Sequence, residues 1–208
     1  LSAKYDDSFL RLILGDGYVN MTNENIAKGD PFGVYKKQGE FSMFFMIAAN
    51  NIYVSLLMFV SGIFFSIGPE FFILRNGIML GSFEYYFFSK GLGMESILVI
   101  WIHGTLEISA IIIAGGAGLV LGHGLLFPKT YTRLQAFIKS AKDGTKIALG
   151  ILPIIVVAAI FESFVTRHTN MPVWLSVFIL GASFLFMVWY VILYPAQLIK
   201  RTQNINNV

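Results

Sequence analysis

The chain has 208 residues, 56% of them hydrophobic and only 13% charged, with a mean hydropathy of +0.69, whereas a soluble domain carries about a quarter of its residues as charges. Cysteine is absent, which excludes disulfides, thiolate metal sites and a cysteine nucleophile. The net charge of +3 gathers in one internal segment and the C-terminal tail, so it reads as a membrane-topology signal, and nucleic acid is not an expected partner.

Leu1-Ser2-Ala3-Lys4 reads like the exit of an apolar segment that precedes it in a longer chain. Residues 1–40 hold five basic and six acidic residues and the turn formers Asp30-Pro31-Phe32-Gly33, the composition of an ordered polar loop or small cap. Beyond them an all-α, polytopic bundle is expected over residues 41–195, followed by a tail at 196–208. A helix needs about 20 apolar residues to cross a hydrocarbon core of about 30 Å, and five stretches qualify as spans. The first covers 41–67, contains Asn50-Asn51 and is stopped by Gly68-Pro69. The second, 70–88, is short and carries Arg75-Asn76-Gly77, which makes it either a tilted span or a re-entrant hairpin. The third, 94–127, would be about 50 Å long as one helix, so it must tilt, break or protrude before Pro128. The fourth covers 144–165 around Pro153, and the fifth covers 173–193 before Pro195.

Between the third and fourth spans lie Lys129, Arg133, Lys139, Lys142 and Lys146 against the single acid Asp143, and the positive-inside rule makes that loop cytoplasmic. Lys200-Arg201 fall on the same side two crossings later. The N-terminal segment, the 89–93 loop and the 167–170 turn are then outside.

Ionisable groups within spans point by default to the bundle interior and to function. On the third span His103, Ala110, Ala114, Gly118 and Gly122 all lie within about 60° of Glu107 around the helix axis. That face is polar at one end and small throughout. Ala114, Gly118 and Gly122 suit close packing, either against another helix of the same chain or against a second copy in a homo-oligomer. His103 and Glu107 are four apart and can share a hydrogen bond. Glu162 on the fourth span and Asn50 and Asn51 on the first belong at the same depth, so the five are expected to form one outer layer. Such a layer either stitches helices together or holds a substrate, an ion or a proton. Arg75, Asn76 and Glu84 form a second tier: Arg75 reaches toward phosphate headgroups, and Glu84 lies nearer water. The histidines are 103, 123 and 168; His103 and His123 would stand about 30 Å apart on one helix and cannot share a metal. With no Walker A loop, HExxH or GxSxG present, no catalytic residue, cofactor or metal is assigned.

The run Ile102-His103-Gly104-Thr105-Leu106-Glu107-Ile108-Ser109-Ala110, followed by Ala114-Gly115-Gly116-Ala117-Gly118 and Gly122, resembles the signature of the stage II sporulation protein M family. Asn50-Asn51, then Asn76-Gly77 with Gly81, then Ala158-Ala159-Ile160-Phe161-Glu162-Ser163-Phe164 agree in order, so the resemblance covers residues 41–166. It implies a multi-pass protein of the bacterial cytoplasmic membrane that does not cut glycan itself. In spore formers such a protein is the platform for peptidoglycan-degrading partners during engulfment; relatives also occur in bacteria that do not sporulate. The expected function is therefore a non-enzymatic component of an envelope or cell-wall remodelling assembly, with the bilayer and other envelope proteins as partners. The alternative is a transporter or permease component using the His/Glu/Asn layer for an ion, lipid or small molecule. A platform should bury that layer dry and satisfied. A transporter should leave it reachable.

Overall fold

The structure, a computed structural model, describes residues 4, 6–36, 39–167 and 171–206; most of the opening Leu1-Ser2-Ala3-Lys4, as well as residues 168–170 of the 167–170 turn, His168 among them, lies outside them. Its helices are α1 (Asp7–Leu14), α2 (Asp16–Ala27), α3 (Glu40–Val60), α4 (Ile67–Ser89), α5 (Gly93–Leu126), α6 (Arg133–Gly150), α7 (Leu152–Ile160), α8 (Val173–Val188) and α9 (Tyr194–Asn206), and no strand occurs among the described residues. Four helical runs are long and apolar enough to cross a membrane: Glu40–Ile63, Gly93–Leu126, Arg133–Val165 and Val173–Gln203.

The expected second span is not among the four. α4 is a single helix of 23 residues, about 34 Å long, but Glu70, Arg75, Asn76 and Glu84 dilute its apolar character. The break considered at Arg75-Asn76-Gly77 does not form, which removes the re-entrant hairpin. Asn76 stays in the helix and its Nδ2 donates to Phe72 O at 2.8 Å, one turn back. Gly68 and Pro69 likewise do not separate the first two helices. They lie in the first turn of α4, where a missing proline N–H costs nothing, and the reversal is made earlier by a 3₁₀ turn, Ser61–Ile63, and left-handed Phe65 and Ser66.

α5 runs unbroken for 34 residues, about 51 Å, and is the central post of the fold, touching α3, α4, α6, α7 and α8. Its small stripe decides this. A Cβ on Gly118 would sit 2.6 Å from Pro69 Cγ and 2.8 Å from Met58 O, and one on Gly122 would sit 2.6 Å from Gly62 O, so the α3–α4 corner rests directly on the α5 backbone. The partner of this face is thus within the same chain.

The basic segment expected as a loop is largely helix. Thr132 and Gln135 form a capping box that starts α6; Ala136, Gly144 and Ala148 face α5 while Lys139, Lys142 and Lys146 stay exposed. The lysines made the segment look unstructured, but they occupy one side of an amphipathic helix. α6 returns antiparallel along α5, with Gly124 against Ala136 and Ser140 and Gly144 against Ala117 O, and α7 continues that line. Pro195 does not end the last span either. The turn before it widens into a π segment, Trp189–Leu193, which absorbs the missing N–H, and the helix continues as α9 to Asn206. α8 buries Ser176, Ser183 and Met187, and leaves Trp174, Phe178 and Leu185 about two-thirds exposed, a surface suited to lipid.

At the end of the bundle carrying the 89–93 turn, α1 and α2 bury Leu10, Val19 and the following Phe32 against Tyr86, Phe87 and Ile100. Tyr86 Oη donates to Asn23 Oδ1 at 2.7 Å. These contacts fix the N-terminal helices over one mouth of the bundle.

Candidate functional site

His103 and Glu107 lie one turn apart on α5 and face the chain that follows α7. There the helix opens into a second π turn, Phe161–Val165, an extra residue per turn of the kind found at working sites. Glu162 lies in this turn and Thr166 just after it. The two address His103 from either side: Nδ1 is 3.0 Å from Thr166 Oγ1, and Nε2 is 3.9 Å from Glu162 Oε1. One ligand atom from each of His103, Glu107 and Glu162 lies within 4.8 Å of the other two.

From α3, Asn51 turns its amide toward Glu107. Asn51 is only 8% exposed, and its contact with the Glu107 carboxyl group falls short of good hydrogen-bond geometry for Nδ2. Ser55, one turn along the same face, and Ser163, beside Glu162, also bury hydroxyl oxygens without a hydrogen-bond partner. Asn50 differs from its neighbour: it is exposed, and its Nδ2 lies 3.5 Å from Asn51 Oδ1.

Three cavities adjoin the cluster. One of about 490 Å³ is lined by Met46, Ile47, Asn50, Asn51, Glu107 and Glu162. A second, of about 370 Å³, lies between α3, α4 and α5, with apolar walls and a polar floor of Asn50, Asn51, Asn76, His103 and Glu107. The third, of about 460 Å³, opens beneath the N-terminal helices, where Asp30 and Glu95 contribute acids and Thr166 lines the wall. His103 therefore stands between the third cavity, through Thr166, and the first, through Glu162.

The structure thus brings His103, Glu107, Glu162 and Asn51 together, with Asn50 at the rim. Of the second tier, Asn76 lines the second cavity and Arg75 is exposed away from it. Glu84 is a separate, satisfied tie between α4 and α5, accepting from Trp101 Nε1 at 2.8 Å and Ser96 Oγ at 3.1 Å. Ala114, Gly118 and Gly122 are buried packing positions, as described above. Sequence reasoning missed Thr166, whose one visible signal is its position four residues after Glu162, and Ser55 and Ser163, which hydroxyl content alone does not single out. Arg167, 3.9 Å from Glu40 at the start of α3, was also missed.

An imidazole, two carboxyl groups and an amide, set within membrane-length helices and open to cavities, can bind and exchange a proton or a cation. These features describe an all-helical protein with four helical runs of membrane-spanning length and a buried polar cluster among them. The family model for stage II sporulation protein M matches residues 9–167, and the chain belongs to that family. The match begins within α1 and runs past the π turn that carries Glu162. No curated protein and no solved structure matches the chain.

Proposed function

We propose that this chain is a non-enzymatic component of the bacterial cytoplasmic membrane that binds, and passes between its cavities, a small charged ligand held by the His103/Glu107/Glu162/Asn51 layer. The carrying observation is that two cavities meet at Glu107 and Asn51 while the neighbouring buried Ser55 and Ser163 hydroxyls lack partners. Residues that only join helices would be paired, because an unpaired buried polar group costs about 1–3 kcal/mol. Platform duty in an envelope assembly is the second reading. It draws support from the ordered N-terminal helices, whose Leu12 is 81% exposed where a partner protein has room to dock.

For sidedness, the α6 lysines favour the cytoplasm, which puts α1, α2 and the acidic cavity outside. One cysteine-scanning experiment addresses both points, since the chain has no native cysteine. In intact spheroplasts, an impermeant maleimide is expected to label Asn50→Cys but not the lipid-facing Phe178→Cys, and to label Lys139→Cys only after permeabilisation. An Asn50→Cys variant inert from both sides would mean a sealed layer and would end the ligand-passing reading. Lys139→Cys labelling in intact spheroplasts would invert the topology.

A further inference from the structure

We infer that the layer is a binding site for a divalent metal cation, with His103 Nε2, Glu107 and Glu162 as protein ligands and Asn51 at its edge. The inference rests on reading the layer as a working site and names what occupies it.

Geometry comes first. Three atoms no more than 4.8 Å apart all lie within about 2.8 Å of one common point, close to the 2.3–2.6 Å at which larger divalent ions are held and within a small side-chain adjustment of the roughly 2.0–2.2 Å of Zn²⁺. The 3.9 Å between His103 Nε2 and Glu162 Oε1 must close by under about 1 Å to match neighbouring ligands of a first-row ion, whose separation at those bond lengths is about 3.0–3.4 Å. The three ligands come from two separate segments, α5 and the π turn at Phe161–Val165.

The orientation of His103 is that of a ligand. Its Nδ1 is engaged by Thr166 Oγ1 at 3.0 Å; with the proton on Nδ1 donated to that oxygen, the lone pair on Nε2 points at the two carboxyl groups. A partner on the far nitrogen that fixes the tautomer is the usual support of a metal-binding imidazole. Thr166 is a positioning residue in this arrangement. Charge selects the valence: two carboxylates and a neutral imidazole sum to −2, which a divalent ion cancels and a monovalent ion does not, and an uncancelled charge inside the bundle is costly. The donor set selects the class, since mixed imidazole and carboxylate ligation suits Mn²⁺, Fe²⁺ or Zn²⁺ better than Mg²⁺.

Asn51 adds a fourth polar group at the edge. It is more than nine-tenths buried and its amide is turned toward the Glu107 carboxyl group, short of good hydrogen-bond geometry. With a cation present, a half-turn of the amide would present Oδ1 to the ion as a neutral ligand, and the nitrogen would face the cavity lined by Asn50. Glu95, in the cavity beneath the N-terminal helices that Thr166 also lines, puts a carboxyl group on the approach to the site.

The test uses the full chain, purified in detergent, stripped with EDTA and titrated with MnCl₂ under electron paramagnetic resonance. The expected result is one Mn²⁺ per chain, displaced by Zn²⁺, with a ¹⁴N hyperfine coupling from a directly bound imidazole. Glu107→Gln and Glu162→Gln should each weaken binding at least 100-fold with unchanged helical content, and Thr166→Val should weaken it about tenfold. Absence of stoichiometric Mn²⁺, or Mn²⁺ bound without nitrogen coupling, overturns the inference, and because both are read on the wild-type chain, a variant that fails to fold does not obscure them. If Asn50→Cys reacts with the impermeant maleimide and Mn²⁺ still does not bind, the cation assignment falls alone. If Asn50→Cys is inert, the reading of the layer as a ligand-passing site falls with it.

Discussion

Leucine at Gly118 is expected to destabilise the protein by about 3 kcal/mol or more, while leucine at Gly116, two residues away, leaves stability unchanged or slightly raised. A Cβ at Gly118 would meet Pro69 Cγ at 2.6 Å and the backbone oxygens of Met58 and Phe59 at 2.8 and 3.2 Å. Backbone cannot swing aside as a flexible side chain would, so α3 and α4 would have to leave α5. Gly62, whose own Cβ would collide with Gly118 O, makes the contact tight from both directions. At Gly116 a Cβ would meet nothing within 4 Å, and replacing a helical glycine recovers about 0.5–1 kcal/mol of backbone entropy. Thermal unfolding in detergent checks the pair: a melting temperature lower by about 10 °C for Gly118→Leu and none lost for Gly116→Leu. Equal melting temperatures would mean that the α3–α4 corner does not rest on α5 in this way.

The second large effect is an absence of harm where harm would ordinarily be expected. The double variant Glu107→Met/Glu162→Met, measured without divalent ions, should be at least as stable as the wild type, and by up to about 4 kcal/mol more stable, because well-packed apolar side chains replace buried charges at no loss. If the carboxyl groups were structural stitching, removing them would strand their partners and cost about 3–5 kcal/mol. The distinction follows from contacts already seen: Glu107 and Glu162 approach each other and His103 within 4.8 Å, an arrangement that sets two acids side by side around one imidazole. Stability traded for a function is the expected signature of such a site. Calorimetry or a detergent melting curve decides it, and a loss of several degrees would return the layer to a structural role.

How far this could be read from the sequence differs by element. The face of α5 was legible because 3.6-residue periodicity places His103, Glu107, Ala114, Gly118 and Gly122 on one line, and an unbroken helix of 34 residues preserves that line. Glu162 and Asn51 were legible as buried polar groups within apolar stretches. Their closeness to His103 was an inference from depth alone. The π turns were not legible: an inserted residue changes no composition, so neither the facing of Glu162 and Thr166 toward His103 nor the continuation of the last helix through Pro195 could be seen. Proline was over-read as a stop at Pro195 and Gly68-Pro69 as a boundary, since local rules assume a regular helix, and a widened turn or a first-turn position relieves both. Lysine density misled in α6, where Ala136, Gly144 and Ala148 carry the packing beneath an exposed basic face. Arg75 misled in the same way, because a charge at the exposed side of α4 does not interrupt it.

Whether the His103/Glu107/Glu162 layer holds a small charged ligand is visible in a cryo-electron microscopy map of the full chain in lipid nanodiscs at a resolution that shows ordered ions and waters. A bound ligand would appear as a discrete density feature between His103 Nε2 and the carboxyl groups of Glu107 and Glu162, in contact with all three and continuous with solvent density in the cavity lined by Met46, Asn50 and Asn51. A layer closed to water, with no density between the three side chains, would contradict ligand binding there.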